Sequence, residues 1–163
     1  MPEIFSEAPS HRFNRIAKYS PYSKLPQYEL VTLIVKSNDN LKQEQFAMQL
    51  LQMFKDIFQA ETIPLELYAY EIVSISHNSG IIEFMDDCLT IDELKRRDSS
   101  LAEVVQGRER LRRFIRSLAA YSLVTYLLQV KDRHNGNIMI CRDGSLRHID
   151  YGFFISNSPG KGV

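Results

Sequence analysis

Tryptophan is absent from this chain of 163 residues, and cysteine occurs only twice. Glycine and proline are scarce as well, at seven and six residues. That scarcity excludes a collagen-like or low-complexity chain, and two cysteines are too few for a disulfide framework or a cysteine-rich metal site. Cys88 and Cys141 are therefore expected as free thiols of a reducing compartment. Neither sign of charge dominates, with 20 Lys and Arg against 20 Asp and Glu. A chain without net charge has no global field to gather nucleic acid or an anionic membrane, so any basic surface must be local. No nucleic-acid partner is expected. Long apolar runs are missing too. The most apolar stretch, Ser117 to Val130, suits a buried core helix and falls short of the ~20 residues that span a bilayer. Met1 to Arg15 is polar and mixed, without the apolar segment of a secretion signal. Together these features predict a cytosolic protein that meets membranes only from the surface.

What is present is ordinary globular material, 44% hydrophobic and 25% charged, enough for one domain with its own core. Residues 1–18 carry two prolines and no clear periodicity, and read as an extension. Ser20-Pro21-Tyr22-Ser23-Lys24-Leu25-Pro26 is turn chemistry, set just before a strand over Tyr28 to Lys36. Leu41 to Gln59 is the clearest helix. Phe46, Ala47, Leu50, Leu51, Phe54, Ile57 and Phe58 recur at three- and four-residue spacing on its apolar face. Leu67 to Ser76 and Gly80 to Met85 read as strands joined by His77-Asn78-Ser79, and Asp86 to Ser100 as a short helix with a loop. Leu101 to Val130 is helical, with Gly107 separating a short helix from a long one whose apolar second half is expected to be buried. Ile138 to Cys141 and Leu146 to Ile149 flank the turn Arg142-Asp143-Gly144-Ser145 and read as a hairpin. Tyr151 to Val163 reads as a loop.

The chemistry lies in Asp132-Arg133-His134-Asn135-Gly136-Asn137 and His148-Ile149-Asp150-Tyr151-Gly152. Phosphoryl transfer needs a group to orient or deprotonate the attacking hydroxyl, oxygen ligands for Mg²⁺, and a cation on the donor phosphates. Protein kinases place an Asp, an Asn five positions on, and then the Asp of an Asp-Phe-Gly. Asp132 and Asn137 have that spacing, and Asp150-Tyr151-Gly152 has the Asp-aromatic-Gly form. The hairpin between them folds the chain back, so Asn137 and Asp150 are placed to converge on one metal.

The order Asp-Arg-His resembles the phosphatidylinositol 3- and 4-kinase superfamily. Gln129 to Ile138, with His148-Ile149-Asp150 after it, is similar to the type III, beta-type, phosphatidylinositol 4-kinases. So are Ser20-Pro21-Tyr22 to Pro26, Val35-Lys36, Asp39, Gln43-Glu44-Gln45 and Gly80-Ile81-Ile82-Glu83. The resemblance covers roughly residues 19–160. It implies an α+β, two-lobed protein-kinase-like fold. Residues 19–85 would form a small lobe with an antiparallel sheet, and 86–163 an incomplete large lobe cut in the activation loop. It implies ATP and Mg²⁺ (Mn²⁺ as the alternative ion) and a phosphatidylinositol substrate in a membrane surface. It also implies peripheral placement on the cytosolic face of internal, Golgi-like membranes, with an adaptor or regulatory protein as a partner.

The implied roles follow by position. Lys36 contacts ATP phosphates, and Glu44 pairs with Lys36 or orders the metal site. Ser20, Tyr22 and Ser23 cover the phosphates, and Glu83, Phe84 and Met85 supply hinge backbone to the adenine. Asn137 and Asp150 are the metal ligands. Asp132, Arg133 and His134 form the catalytic loop, in which Arg133 organises the backbone and either Asp132 or His134 is the base. His148, beside the metal loop, is expected to make a structural hydrogen bond. Two departures from the family pattern stand out. Asn38-Asp39-Asn40 replaces Gly-Asp-Asp, and Tyr151 replaces Phe, adding a hydroxyl that needs a partner. Asparagine tolerates left-handed backbone, so the first turn is expected to survive.

In the superfamily the activation loop reads the headgroup, and a phosphorylated inositol calls for several basic residues there. Between Tyr151 and Val163 only Lys161 is basic, which favours unphosphorylated phosphatidylinositol; transfer to its 4-hydroxyl is what the 4-kinase resemblance implies. Arg108 to Arg116 present a basic helix face, worth on the order of 1 kcal/mol per residue near anionic lipid, with Glu103 and Glu109 beside it. Two rivals remain: a protein kinase related to the lipid 3-kinases, and a non-catalytic nucleotide-binding or docking fragment.

Overall fold

A computed structural model describes residues 4, 5 and 7–155 of the chain. The expected loop beyond Ile155, with Lys161, lies outside the described residues, as do positions 1–3 and 6. The architecture mixes helices with two three-stranded antiparallel sheets.

The first sheet has the order β1-β3-β2, with β1 at Leu33–Ser37, β2 at Ile72–Ser76 and β3 at Ser79–Glu83. The strand expected from Tyr28 begins only at Leu33, where β3 offers partners: Leu33 pairs with Glu83 and Lys36 with Gly80. Helix α2, Lys42–Ala60, packs on this sheet and buries Ala47, Met48, Leu51 and Phe58. Gln45 Nε2 donates to the Ile72 carbonyl at 3.0 Å, fixing the helix to β2. Phe46 and Ile57, expected on the buried face, are exposed. The buried stripe is narrower than the apolar one because the sheet covers only part of the helix.

The second sheet has the order β4-β5-β6, with β4 at Cys88–Thr90, β5 at Ile138–Cys141 and β6 at Leu146–His148. Strand β4 falls inside the segment expected to be helix and loop. Its three residues are too few to show a period, and pairing with β5 makes it a strand. The ladder sets Cys88 opposite Cys141, and the two form a disulfide. This corrects the expectation of free thiols. Spacing in the sequence, 53 residues, gave no sign that the register would make them neighbours. Two short helices follow, α3 at Ile91–Arg96 and α4 at Leu101–Val104. Both open on reciprocal capping boxes, Thr90 with Glu93 and Ser100 with Glu103, which satisfy otherwise orphaned amides.

Helix α5, Arg108–Leu127, lies on β6, where Ser117 Oγ accepts the Leu146 amide at 2.8 Å. Its buried residues are Ser117, Ala120, Tyr121 and Val124. Leu118, Leu123, Tyr126 and Leu127 are exposed, so the second half is not buried all round as expected. One sheet covers one stripe, and no other described element covers the opposite one. The basic face of α5 is largely neutralised. Arg112 and Arg113 reach Glu109 at 3.7 and 3.6 Å, Arg113 also reaches Asp143 at 2.8 Å, and Arg116 reaches Glu66 at 3.3 Å.

The N-terminal segment expected to be irregular contains a helix, α1, at Pro9–Tyr19. Proline at a first turn costs nothing, since its missing N–H would have no helical partner. None of its residues is buried, although Phe13, Ile16 and Ala17 share one face at helical spacing, a period the reading of this segment as an extension missed. It is tied down instead by the Arg12–Asp86 ion pair and by Phe13 against Tyr28, with ring centroids 5.8 Å apart.

Candidate active-site cleft

A cavity of about 580 Å³ is lined from both sheets. Ile34 and Lys36 of β1, Asp39 after it, Glu44 of α2 and Ile82 of β3 come from one side. Leu89 and Thr90 of β4, Met139 of β5, and Asn137, Ile149 and Asp150 beside the β5–β6 hairpin come from the other. Glu83, Phe84 and Met85 close it between the sheets, and Glu93 and Arg97 of α3 and its C-cap border it.

The hairpin explains why Asn137 and Asp150 meet here. Antiparallel pairing of Ile138 with His148 makes the residues just outside the ladder neighbours, and the Ile149 amide donates to the Asn137 carbonyl at 3.1 Å. Asn137 is buried, and its Nδ2 donates to the Asp132 carbonyl at 3.0 Å. That bond orients the amide oxygen as the remaining acceptor. Asp150 is exposed and left-handed, with φ 58°. Arg133 spans the catalytic loop and the hairpin, donating to the Ile149 carbonyl at 2.8 Å and also to the Asp150 carbonyl. Its guanidinium lies 5.3 Å from the Tyr151 ring centroid.

Across the cavity, Lys36 and Glu44 share the wall. The hydrogen bond of Glu44 is made to the Tyr70 hydroxyl, and Lys36 acts on it only as a nearby charge. Burial raises the Glu44 carboxyl above its ordinary range, the Tyr70 bond opposes this, and Asp150 pushes in the same direction as burial. Asn38 adopts φ 59°, the left-handed geometry that the Asn-for-Gly replacement needed. Asp39 stays in the wall of the cavity.

The hinge residues are only partly available. The Glu83 amide donates to Glu71 O at 2.9 Å and the Phe84 amide to Thr32 O at 3.3 Å. The Glu83 carboxylate accepts from the Tyr68 hydroxyl and from the Glu71 amide at 2.9 Å.

Not every expected residue reaches the cleft. Ser20, Tyr22 and Ser23 lie in the turn after α1 and are not among the residues lining the cavity. Their side-chain hydrogen bonds stay inside that turn, with Ser23 Oγ on Ser20 O at 3.0 Å and the Tyr22 amide on Ser20 Oγ at 3.3 Å, while the Ser20 amide donates to Ile16 O of α1 at 3.0 Å. Asp132 and His134 are exposed on the loop after α5, outside the cavity wall. The Gly136 amide donates to His134 Nδ1 at 3.1 Å. His148 is buried and stacks on Tyr121 at 4.5 Å and 5°. Its Nδ1 has no hydrogen-bond partner among the described residues. Burial, and secondly the Arg133 charge, hold it neutral with a pKa of about 4. The Tyr151 hydroxyl is fully buried and likewise lacks a partner among the described residues.

Tyr70, Thr90, Glu93 and Arg97 line the cavity although sequence reasoning did not single them out. The Thr-x-x-Glu box marked the second and third as a helix start, and nothing in the sequence marked Tyr70.

No described helix is long and apolar enough to cross a membrane. Against known families, the model described as phosphatidylinositol 3- and 4-kinase matches residues 30–108 and 99–162. The chain belongs to the phosphatidylinositol 3- and 4-kinase family. Within it, the chain is 43% identical over 159 residues to phosphatidylinositol 4-kinase beta 1 of Arabidopsis thaliana, covering 90% of this chain and 14% of that protein. It is 39% identical over 170 residues to a phosphatidylinositol 4-kinase of Dictyostelium discoideum, covering 96% and 14%. To phosphatidylinositol 4-kinase beta of Xenopus laevis it is 40% identical over 159 residues, covering 91% and 20%. The chain thus spans 14–20% of the length of these relatives.

Proposed function

We propose that this chain carries the nucleotide and catalytic elements of a lipid kinase that transfers the γ-phosphoryl group of ATP to the 4-hydroxyl of phosphatidylinositol. The observation that carries the reading is the cleft itself, with Lys36 and Glu44 on one wall and Asn137 and Asp150 on the other. Residues 19–85 and 86–163 would then be the small lobe and the beginning of the large lobe of a kinase-like fold.

A metal must fit this donor set if the reading holds. Among the described residues no group of three or more His, Cys, Asp or Glu side chains gathers to hold an ion. One carboxylate and one amide oxygen do suit Mg²⁺, which keeps waters and takes substrate phosphate oxygens as further ligands. Asp150 and Asn137 would hold it, and when bound it neutralises charge on the transferring phosphate. Lys36 would contact the donor phosphates. The apolar wall of Ile34, Ile82, Leu89 and Met139 would take the adenine. With the Glu83 and Phe84 amides already spent, the hinge donor is Met85.

The inositol oxygen attacks the γ-phosphorus, the bond to the β,γ-bridging oxygen breaks, ADP leaves and the hydroxyl proton goes to a base. The Gly136 amide on His134 Nδ1 favours Asp132 as that base. A neutral imidazole that accepts at Nδ1 carries its proton on Nε2, so His134 can donate to developing charge and cannot take the first proton there. Arg133 holds the backbone of the loop. Ser20, Tyr22 and Ser23 would serve the phosphates only if their turn swings toward the cleft.

A phosphatidylinositol substrate would put the enzyme at a membrane surface facing the cytosol, with an adaptor or regulatory protein as a partner.

Phosphatidylinositol vesicles incubated with the purified chain, ATP and Mg²⁺ test the reading, with Asp150→Ala as control. Phosphatidylinositol 4-phosphate that disappears in the variant is expected. Product at the 3-position, or phosphorylated protein instead of lipid, would overturn it. Nucleotide binding without any product would favour the non-catalytic fragment, a reading that the uncovered apolar face of α5 also supports.

A further inference from the structure

A second cavity, of about 460 Å³, opens at the β5–β6 turn and shares no lining residue with the cleft. Cys141 lines it while its disulfide partner Cys88 lines the cleft, so β4 and β5 stand between the two. Three pieces of chain build it. Asp86 and Asp87 come from the link between β3 and β4, Arg110 from α5, and Arg142, Asp143 and Arg147 from the hairpin. Helix and turn are in close contact here: a Cβ on Gly144 would lie 2.5 Å from the Arg110 carbonyl oxygen.

The three carboxylates of this cavity are already matched. Asp86 pairs with Arg12, Asp87 with Arg142 at 2.9 Å, and Asp143 with Arg113 at 2.8 Å. Asp143 Oδ1 also accepts the Ser145 amide and hydroxyl at 2.9 and 2.7 Å. Two of these arginines, Arg12 and Arg113, reach in from outside the lining. The Arg110 and Arg147 guanidiniums are left over, and neither forms an ion pair among the described residues. Arg147 lies 3.7 Å from the Tyr68 ring centroid, and its Nε is buried without a hydrogen-bond partner among the described residues. Stacking occupies the face of a guanidinium and leaves the fork of donors along its edge. Both side chains belong to half-buried residues, where a polar group without a partner costs more than it does in open water.

We propose that this cavity binds a phosphate monoester, held by Arg110 and Arg147. Two unmatched positive charges suit the charge of such a group at neutral pH, about −1.5 to −2. Guanidinium forks fit its oxygens in pairs. The cavity is large enough to hold part of the molecule that carries the phosphate as well. The inference stands apart from the reading of the cleft as a nucleotide site.

The test is calorimetric titration of the full chain with inorganic phosphate at fixed ionic strength. Saturable binding is expected in the parent, weakened about tenfold or more in Arg110→Ala, the loss of one charge-assisted hydrogen bond or more. Arg108→Ala, an exposed arginine of the same helix outside the cavity, and Lys36→Met in the cleft should stay within about twofold of the parent. No saturable binding in the parent overturns the proposal. So does an equal loss in Arg108→Ala, which would mean diffuse attraction to a basic helix, or a loss confined to Lys36→Met, which would put the anion in the cleft. If Arg110→Ala does not fold, Arg147→Lys carries the test. It keeps the charge and removes the fork, so weaker binding is again expected and unchanged binding refutes the site. Blocked phosphoserine and glycerol 3-phosphate present the same dianion on a protein side chain and on a small molecule. The one that binds more tightly than inorganic phosphate identifies the carrier, and weaker binding of both than of inorganic phosphate overturns the assignment to a monoester.

Discussion

Two glycines allow the turn that shapes the cleft to be tested quantitatively. Gly144 lies in the β5–β6 turn with φ +90°, and a Cβ there would sit 2.5 Å from the Arg110 carbonyl oxygen and 2.8 Å from its Cα. Gly107 precedes α5 with φ +105°, and a Cβ there would meet nothing within 4 Å. Gly107→Ala therefore isolates the backbone cost, about 1–3 kcal/mol for such a conformation. Gly144→Ala adds a close approach to helix backbone that cannot rotate away, an overpacking cost of about 1–3 kcal/mol. The expected loss for Gly144→Ala is about 4 kcal/mol, the sum of the mid-range values. Set against a typical total of about 5–15 kcal/mol, that is a large part of the stability. Urea unfolding of the parent and both variants, read by far-ultraviolet circular dichroism, measures each. If Gly144→Ala costs no more than Gly107→Ala, the turn is not pressed on α5 and the reasoning fails.

Three further outcomes are expected. Asp143 has its pKa lowered below the ordinary aspartate value: burial acts upward, but the Ser145 amide and hydroxyl together with Arg113 and Arg147 outweigh it. Stability from it is present above the unfolded aspartate pKa and lost as pH falls through the lower folded value, so Asp143→Asn should flatten that acid limb in urea titrations. The Arg113 partner is nearly half exposed, so the pair itself contributes under about 1 kcal/mol. Reduction of the Cys88–Cys141 bridge, which closes 53 residues, should lower stability by about 4 kcal/mol on the chain-entropy estimate, read by urea unfolding with and without dithiothreitol. Lys36→Met should raise the nucleotide KM and lower kcat together while leaving adenosine binding unchanged, since Lys36 faces only the phosphates in the proposed site.

Much of this arrangement could be read from the residues. The three- and four-residue spacing of α2, the Gly107 break before α5 and the Asp-Gly turn of the β5–β6 hairpin are local signals, and the structure has those elements where the signals fall. The convergence of Asn137 and Asp150 was legible for the same reason, because a hairpin makes its two outer ends neighbours. What escaped depends on contacts distant in sequence. Strand β4 exists because β5 pairs with it, the disulfide because that pairing sets Cys88 against Cys141, and α1 because Asp86 holds Arg12. Tyr70 escaped because a buried tyrosine in a β-rich segment looks like core until Glu44 and Asp150 appear beside it. Exposure on α5 was misjudged because apolar composition states what a face prefers and says nothing of what covers it.

The charge of the cleft bears on how a nucleotide would enter it. Asp39, Glu44, Glu83, Glu93 and Asp150 line the cavity against two cations, Lys36 and Arg97, and Arg97 already donates to the Ile4 carbonyl at 2.8 Å. A polyphosphate entering alone meets more negative charge than positive, and each unscreened like pair at 4 Å costs about 4 kcal/mol at an effective dielectric of 20. The desolvated Glu44 carboxyl shows the same pressure, pushed upward by burial and by Asp150 together. Two remedies exist. Glu44 can take up a proton, or a divalent cation can arrive with the phosphates and reverse the sign near Asp150. Only the second leaves Glu44 and Asp150 both charged and lets the apolar half of the cleft act separately from the polar half. Adenosine affinity should therefore be indifferent to Mg²⁺, while ATP affinity should rise steeply with it. Equal Mg²⁺ dependence for the two ligands would mean that the carboxylates do not face the phosphates at all.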